Sequence, residues 1–277
     1  MASKYSQDVG TRSKDDAVTT PVFLVCLVLA LAMSCSAVYF YYSYARDARV
    51  LRALALHLTA GVATSEEKVR VVNSFVYANQ GFARNRDYFL FKSLGATPVQ
   101  VLDKGGDCTD KSRLLWAMLG QIGVKASMAM LYTRREGPSI HTVVLAETES
   151  GIIAADPIYD LMFPTEAGGY YDVREMVRDP EILVMRLGTL RTERGPQDRI
   201  NGYDGSVFHY GFITTVNWLK YRWLEGLANA LEALGLEPRV IRRPALIENQ
   251  KLLLAISSGT AAALFAVLAF VTRRLGI

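Results

Sequence analysis

The chain is apolar at its two ends and patterned in between. From Ala17 to Ala45 there is no charged residue, and the apolar part, Val22 to Phe40, is long enough to cross a hydrocarbon layer of about 30 Å. Leu252 to Thr272 is a second uncharged run of the same kind. A cleaved leader fits the first run poorly. The small residues Ser34 to Ala37 are followed by Val38-Tyr39-Phe40-Tyr41-Tyr42, an aromatic cluster suited to a membrane interface and unlike a polar mature start. A buried core helix is the competing account of the second run. Two spans are expected, at 21–44 and 252–272, with tails at 1–20 and 273–277 and one domain held between them.

Within that domain the pattern changes to short amphipathic elements. Thr64-Ser65-Glu66-Glu67 has the form of a capping box in which Thr64 and Glu67 satisfy each other's backbone donors. Val69, Val72, Phe75 and Val76 recur at helical spacing after it, which predicts a helix over about 65–80. Leu114, Leu115, Met118 and Leu119 mark a second helix, opened by Asp107 as N-cap and stopped near Gly123. Val124 to Tyr132, Ile140 to Glu147 and Ile152 to Ala155 read as strands, separated by turns at Gly137-Pro138 and Glu149-Ser150-Gly151. The last two strands form a hairpin in this reading, with His141 and Asp156 close to opposite one another. Beyond Pro157 no clear pattern appears until Phe212. From there Val216, Leu219, Trp223, Leu227, Leu231 and Leu234 trace one face of an amphipathic helix, which covers the core, lies on a membrane surface or meets a partner. The domain is thus expected over 46–200, followed by an amphipathic and juxtamembrane region over 201–251.

Charge adds little. The net charge of +4 is small, and much of the basic excess flanks the apolar runs. Arg239-Val240-Ile241-Arg242-Arg243 suits anionic lipid head groups or a solvated linker, and no interleaving of basic and aromatic residues points to nucleic acid. Lys4, Arg12 and Lys14 before the first run balance Arg46, Arg49 and Arg52 after it, while the second run leans slightly towards a cytoplasmic domain.

The candidate chemistry is concentrated in Gly105-Gly106-Asp107-Cys108-Thr109-Asp110-Lys111-Ser112, followed by His141 and by Asp156-Pro157. Cys26 and Cys35 fall inside the first apolar run, so Cys108 is the one cysteine of the domain and a disulfide framework is excluded. A thiol attacks a carbonyl as thiolate, and the first turn of a helix favours that anion. A histidine must share the proton, and a carboxylate must orient the imidazole and stabilise its cation. Cys108, His141 and Asp156 supply those three parts in that order; Asp107 and Asp160 are fallback carboxylates. Taken singly, a cysteine is commonly a small buried hydrophobe, a strand histidine a hydrogen-bonded core group and Asp-Pro a turn. His57 and His209 lack matching partners and are read as structural. The backbone N–H of Cys108 is one candidate oxyanion donor, with Asn79, Gln80 or Gln100 as the other. Three dispersed histidines make no zinc spacing, and no phosphate loop or dinucleotide fingerprint occurs, so no metal or cofactor is implied.

The run Gly-Asp-Cys-Thr-Asp-Lys-Ser, a later Leu-Leu and Gly-Val, a histidine about thirty residues on and Asp-Pro at a strand end resemble the core of the transglutaminase-like superfamily. The resemblance covers roughly residues 65–162. It implies an α+β, papain-type fold in which a cysteine-bearing helix packs on an antiparallel sheet. It also implies Cys108 as nucleophile, His141 as general base and acid, and Asp156 as orienting carboxylate, acting on a peptide or protein amide through a thioester. An aromatic residue often follows the histidine in that family, whereas this chain reads His141-Thr142-Val143-Val144. The rival from another class is a non-catalytic scaffold or partner-binding subunit of a membrane complex. Microbial members often work in the cell envelope, which places the domain outside the cytoplasm with both termini inside, against the slight lean of the flanking charges.

Overall fold

The structure is a computed structural model and describes residues 14–83, 88–91, 94–132, 139–208, 210–219, 221–236, 238, 241 and 243–275. The Gly137-Pro138 turn, His209 and most of the basic run from Arg239 lie outside the described residues. The architecture is α+β. Helices α1 (Lys14–Leu58), α2 (Ser65–Ala78), α3 (Pro98–Lys104) and α4 (Cys108–Gln121) precede strands β1 (Ala126–Tyr132), β2 (Ser139–Thr148) and β3 (Gly151–Ala155). Helices α5 (Val173–Arg178), α6 (Glu181–Arg194), α7 (Arg222–Ala233), α8 (Ala245–Glu248) and α9 (Gln250–Leu275) follow, with 3-10 turns at Arg199–Gly202 and Tyr210–Phe212.

The chain divides into two compact units. The first comprises the chain up to Tyr44 together with Lys251–Ile277, and the second is Ala45–Gln250. In the first, two helices are long and apolar enough to cross a membrane, and only 11% and 17% of their apolar windows are buried. That exposure is the reverse of a core helix, which buries its apolar surface. Ala30, Ala255, Ala262 and Ala269 are the buried apolar positions among the described residues there, and a Cβ at Gly259 would stand 3.9 Å from the Ala37 methyl. Small side chains of this kind allow apolar helices to approach closely without a hydrophobic drive between them.

In the second unit the strands form one antiparallel sheet in the order β1-β2-β3. Both sheet faces are covered, and the alternation of the strands sorts residues between them. Val144, Ala146, Ile153 and Ala155 pack against Val69, Val72 and Val76 of α2 and Leu114, Leu115, Met118 and Leu119 of α4. Ala129, Leu131, Val143 and Ala154 face a second cluster with Phe163, Val173, Met176, Leu183, Leu187 and Leu190. The stretch after Pro157 that shows no pattern in sequence therefore holds α5 and α6, which bury their apolar residues on the far face of the sheet. Helix α3 is also absent from the sequence reading, although Thr97-Pro98-Val99-Gln100 is its signature. Pro98 stands at the first helical position, and Thr97 and Gln100 form a reciprocal capping box.

Three expectations need correction. Only half of the capping box at α2 exists: Thr64 accepts from the Glu67 N–H, while the Glu67 carboxylate takes Arg70 Nε at 2.7 Å. The amphipathic helix expected from Phe212 is α7, Arg222–Ala233, because Phe212 belongs to a 3-10 turn and Thr214 pairs instead with Met130. None of the α7 residues is buried, and Trp223 is 67% exposed, so α7 does not cover the core.

The two layers on the α4 side are tied by Lys111. This side chain is 1% exposed, and its ammonium donates to the carbonyls of Val76 (2.7 Å), Tyr77 (3.0 Å) and Asn79 (3.0 Å). These carbonyls lie at and just beyond the C-terminal turn of α2, where carbonyls lack helical partners and the dipole favours a cation. Burial, with a smaller contribution from Arg199, pulls the Lys111 pKa down to about 8. Replacing Lys111 by Met keeps the volume and strands the carbonyls. A loss of about 3 kcal/mol is expected from orphaned buried acceptors, to be read as a shift in the denaturant midpoint of the full-length protein in detergent.

Candidate functional site

The three sequence-selected side chains are carried by α4 and the β2–β3 hairpin, and the hairpin brings His141 and Asp156 into contact. Helix α4 begins at Cys108 because Asp107 caps it, accepting from the N–H groups of Thr109 (2.9 Å) and Asp110 (3.1 Å). Asp110 reaches back to the Asp107 N–H at 3.4 Å, completing a capping box. Among the described residues the Cys108 N–H has no partner, which leaves one free donor beside the thiol. The turn ahead of the cap admits little but glycine. At Gly106 a Cβ would lie 2.5 Å from Asp110 Cβ, and at Gly105, with φ +78°, it would lie 2.8 Å from the Gln80 carbonyl oxygen.

Strand β2 carries His141, paired across to Leu131 of β1 beside a bulge at Leu131/Tyr132. The hairpin closes at Thr148↔Gly151, with Val144 opposite Ala155. Continued by one residue, that register sets Asp156 beside Val143, so His141 and Asp156 are diagonal neighbours on one face. The expectation of a near-opposite pair is corrected by two positions. The diagonal reach suffices: His141 Nε2 and Asp156 Oδ2 are 2.6 Å apart, with the residues 4% and 0% exposed. The other Asp156 oxygen accepts from the Ile158 N–H at 2.9 Å. With Nε2 so engaged, Nδ1 is the ring nitrogen left over, and the Cys108 side chain lies near enough to act electrostatically on the imidazole.

Burial by itself pulls the His141 pKa down. The charge of Asp156 and the hydrogen bond to it, with a smaller contribution from Cys108, outweigh burial and raise it to about 10. The direction of that balance favours the protonated imidazole.

Other side chains, not singled out from sequence, position these three. Thr109 Oγ1 lies 3.2 Å from Thr142 Oγ1, and Ser112 Oγ donates to the Thr142 carbonyl at 2.9 Å. The first turn of α4 is thereby pinned to the residue next to His141. The signal they leave in the sequence is two hydroxyls three residues apart, on one face of the helix. Tyr159, Tyr203 and Phe208 surround the imidazole with ring centroids 5.7, 6.4 and 5.0 Å away. These rings come from the patternless stretch and stand where no aromatic follows His141 in the chain.

The fallback residues serve elsewhere. Asp107 is the helix cap, and Asp160 accepts from Asn73 Nδ2 and Ser74 Oγ, both at 2.9 Å, and pairs with Arg194. Of the candidate upstream donors, the Asn79 amide donates to the Leu102 carbonyl, and the Gln100 oxygen accepts from the Thr97 N–H. Gln80 is exposed on the segment against Gly105.

No family model and no curated protein matches this chain. Two solved structures are similar in part. One is a putative cysteine protease from Cytophaga hutchinsonii, 17% identical with a TM-score of 0.33 over 40% of this chain and 37% of that one. The other is a putative protease from Parabacteroides distasonis, 14% identical with a TM-score of 0.30 over 47% of this chain and 30% of that one. Each match thus spans less than half of this chain and less than two fifths of the protein it resembles.

The His141–Asp156 pair has a pH signature. A histidine whose folded pKa lies above its unfolded value contributes stability in full below about 6.5, and loses it as pH rises towards the folded value of about 10. Asp156→Asn removes the charge that raises it. The stability difference between wild type and Asp156→Asn is expected to be largest near pH 6.5 and to shrink steadily towards pH 10, measured by denaturant melts across that range. A difference independent of pH would mean that the pair is a neutral hydrogen bond.

Proposed function

We propose that residues 46–200 are a transglutaminase-like, papain-type domain that performs thiol-dependent acyl transfer on a peptide or protein amide. The observation that carries this reading is His141 hydrogen-bonded to Asp156 at 2.6 Å, with Cys108 at a helix N-terminus near enough to act on the same imidazole. In the proposed reaction the Cys108 sulfur attacks the amide carbonyl, and the resulting oxyanion is met by the Cys108 N–H. The C–N bond then breaks as His141 gives its proton to the departing amine, leaving a thioester. Water or a second amine adds to the thioester with His141 taking its proton, and the thiol is released. Asp156 keeps the imidazole oriented throughout and stabilises its cation.

Alkylation tests the thiol directly. With iodoacetamide and peptide-resolved mass spectrometry, Cys108 is expected to react well below pH 8 and His141→Ala to slow that reaction at least tenfold. On any peptide substrate turned over, Cys108→Ala and His141→Ala are each expected to lower the rate by about 10⁴-fold or more, and Asp156→Asn by roughly two orders of magnitude less. Full biological complementation by Cys108→Ala would instead support the scaffold reading.

We further propose that the spans at 21–44 and 252–272 anchor this domain on the extracytoplasmic side, with both termini inside. Reporters at residues 1 and 277 are expected to agree with each other and to disagree with one inserted after Gly168, in an exposed turn. That turn is a better insertion point than Glu149–Gly151, where Glu149 accepts from Ser65 and Ser150 donates to Glu66. Three reporters on one side would refute the two-span topology; a cytoplasmic insert alone would reverse the orientation.

A further inference from the structure

The turn that follows Asp156 has a second role in the fold. Beyond Tyr159, whose ring faces His141, it forms one wall of a cavity of about 290 Å³ lined by Arg70, Ser74, Asp160, Tyr170, Arg186 and Arg194, among others. That volume is at the small end of ligand pockets, which run from about 300 to 1,000 Å³. We propose that this cavity is a binding site for a small oxyanion, a carboxylate or phosphate group, separate from the thiol chemistry.

The charges around the cavity do not cancel. Arg70 is balanced by Glu67 at 2.7 Å, on the surface of α2. Arg194 is committed to the turn, donating to the carbonyls of Tyr159 (2.8 Å) and Asp160 (2.9 Å) and pairing with the Asp160 carboxylate at 3.4 Å. Asp160 is itself saturated, since its other oxygen takes Asn73 and Ser74. Arg186 is different. Its hydrogen bond is from Nε to the Met162 carbonyl at 2.8 Å, and among the described residues no carboxylate stands within ion-pair distance of it. Its terminal N–H donors are thus left over, in a partly buried setting. Burial penalises its charge and Arg194 adds to the penalty, while Glu193 offsets part of it.

A guanidinium presents parallel N–H donors that match the two oxygens of a carboxylate or phosphate. An anion in the cavity would take those donors of Arg186 and bring a negative charge among three cations. Tyr170, which carries a hydroxyl, is a neutral side chain on the same wall. Water also hydrates a guanidinium, but it supplies no charge.

Titration calorimetry on the full-length protein in detergent decides this, with inorganic phosphate and succinate as probes and chloride holding the ionic strength constant. Saturable binding of at least one probe is expected, weakened at least tenfold by Arg186→Gln and by Arg70→Gln. Arg70→Gln alters an exposed residue and keeps the test valid if Arg186→Gln melts early. Binding of phosphate alone assigns a phosphorylated ligand, and binding of succinate alone assigns a carboxylate ligand. Saturable binding of neither probe, or binding unchanged in every variant that folds, overturns the proposal. Because the readout is binding, its failure leaves the reading of Cys108 untouched, and an inert Cys108 leaves this site standing.

Discussion

A fully buried ammonium organises the α4 side of the domain. Desolvating such a group costs several kcal/mol. Lys111 offsets that cost with three carbonyls, at about 1.5–3 kcal/mol for each hydrogen bond to a charged group. The two sums are similar in size, so the arrangement is tolerable only when complete. The consequence is geometric. The end of α2 and the second turn of α4 must meet at one position, and Cys108, one turn before Lys111, is carried with them.

The first turn of α4 is then located from the other side. Thr109 and Ser112 hold it to Thr142, whose neighbour His141 lies on the opposite face of the same strand. Between Lys111 and these hydroxyls, α4 cannot slide along the sheet without breaking a buried hydrogen bond. The ring cage of Tyr159, Tyr203 and Phe208 limits solvent around the imidazole, which strengthens its interaction with Asp156. Burial opposes the imidazolium and the carboxylate sustains it, and the carboxylate prevails.

The turn from Asp156 to Leu161 joins two regions of different character. One end orients His141, and the other is held by Arg194 against a cavity rich in guanidinium groups. Asp160 takes a φ of 47° there, a conformation uncommon for a residue with a side chain. Its carboxylate is fixed by Asn73, Ser74 and Arg194, which hold the backbone in place.

Much was legible without coordinates because it depends on neighbours in the chain. Uncharged runs, the Asp107 cap, the helical stripe through Leu114 and Met118 and the alternation of the strands are all local patterns, and periodicity reports them. The order of Cys108, His141 and Asp156 was legible for the same reason. The hairpin register was not, because a shift of two residues keeps every side chain on its face and changes no pattern. Helices α5 and α6 escaped because their burial comes from the far face of a sheet formed elsewhere in the chain. The aromatic cage and the arginine-lined cavity are gatherings of residues from distant segments, and no local pattern marks them. Sequence alone thus determined which groups are present and on what kind of element each sits. Tertiary structure decided which of them meet, because contact across many residues follows from how the two sheet faces are covered and from where a buried charge such as Lys111 finds its partners.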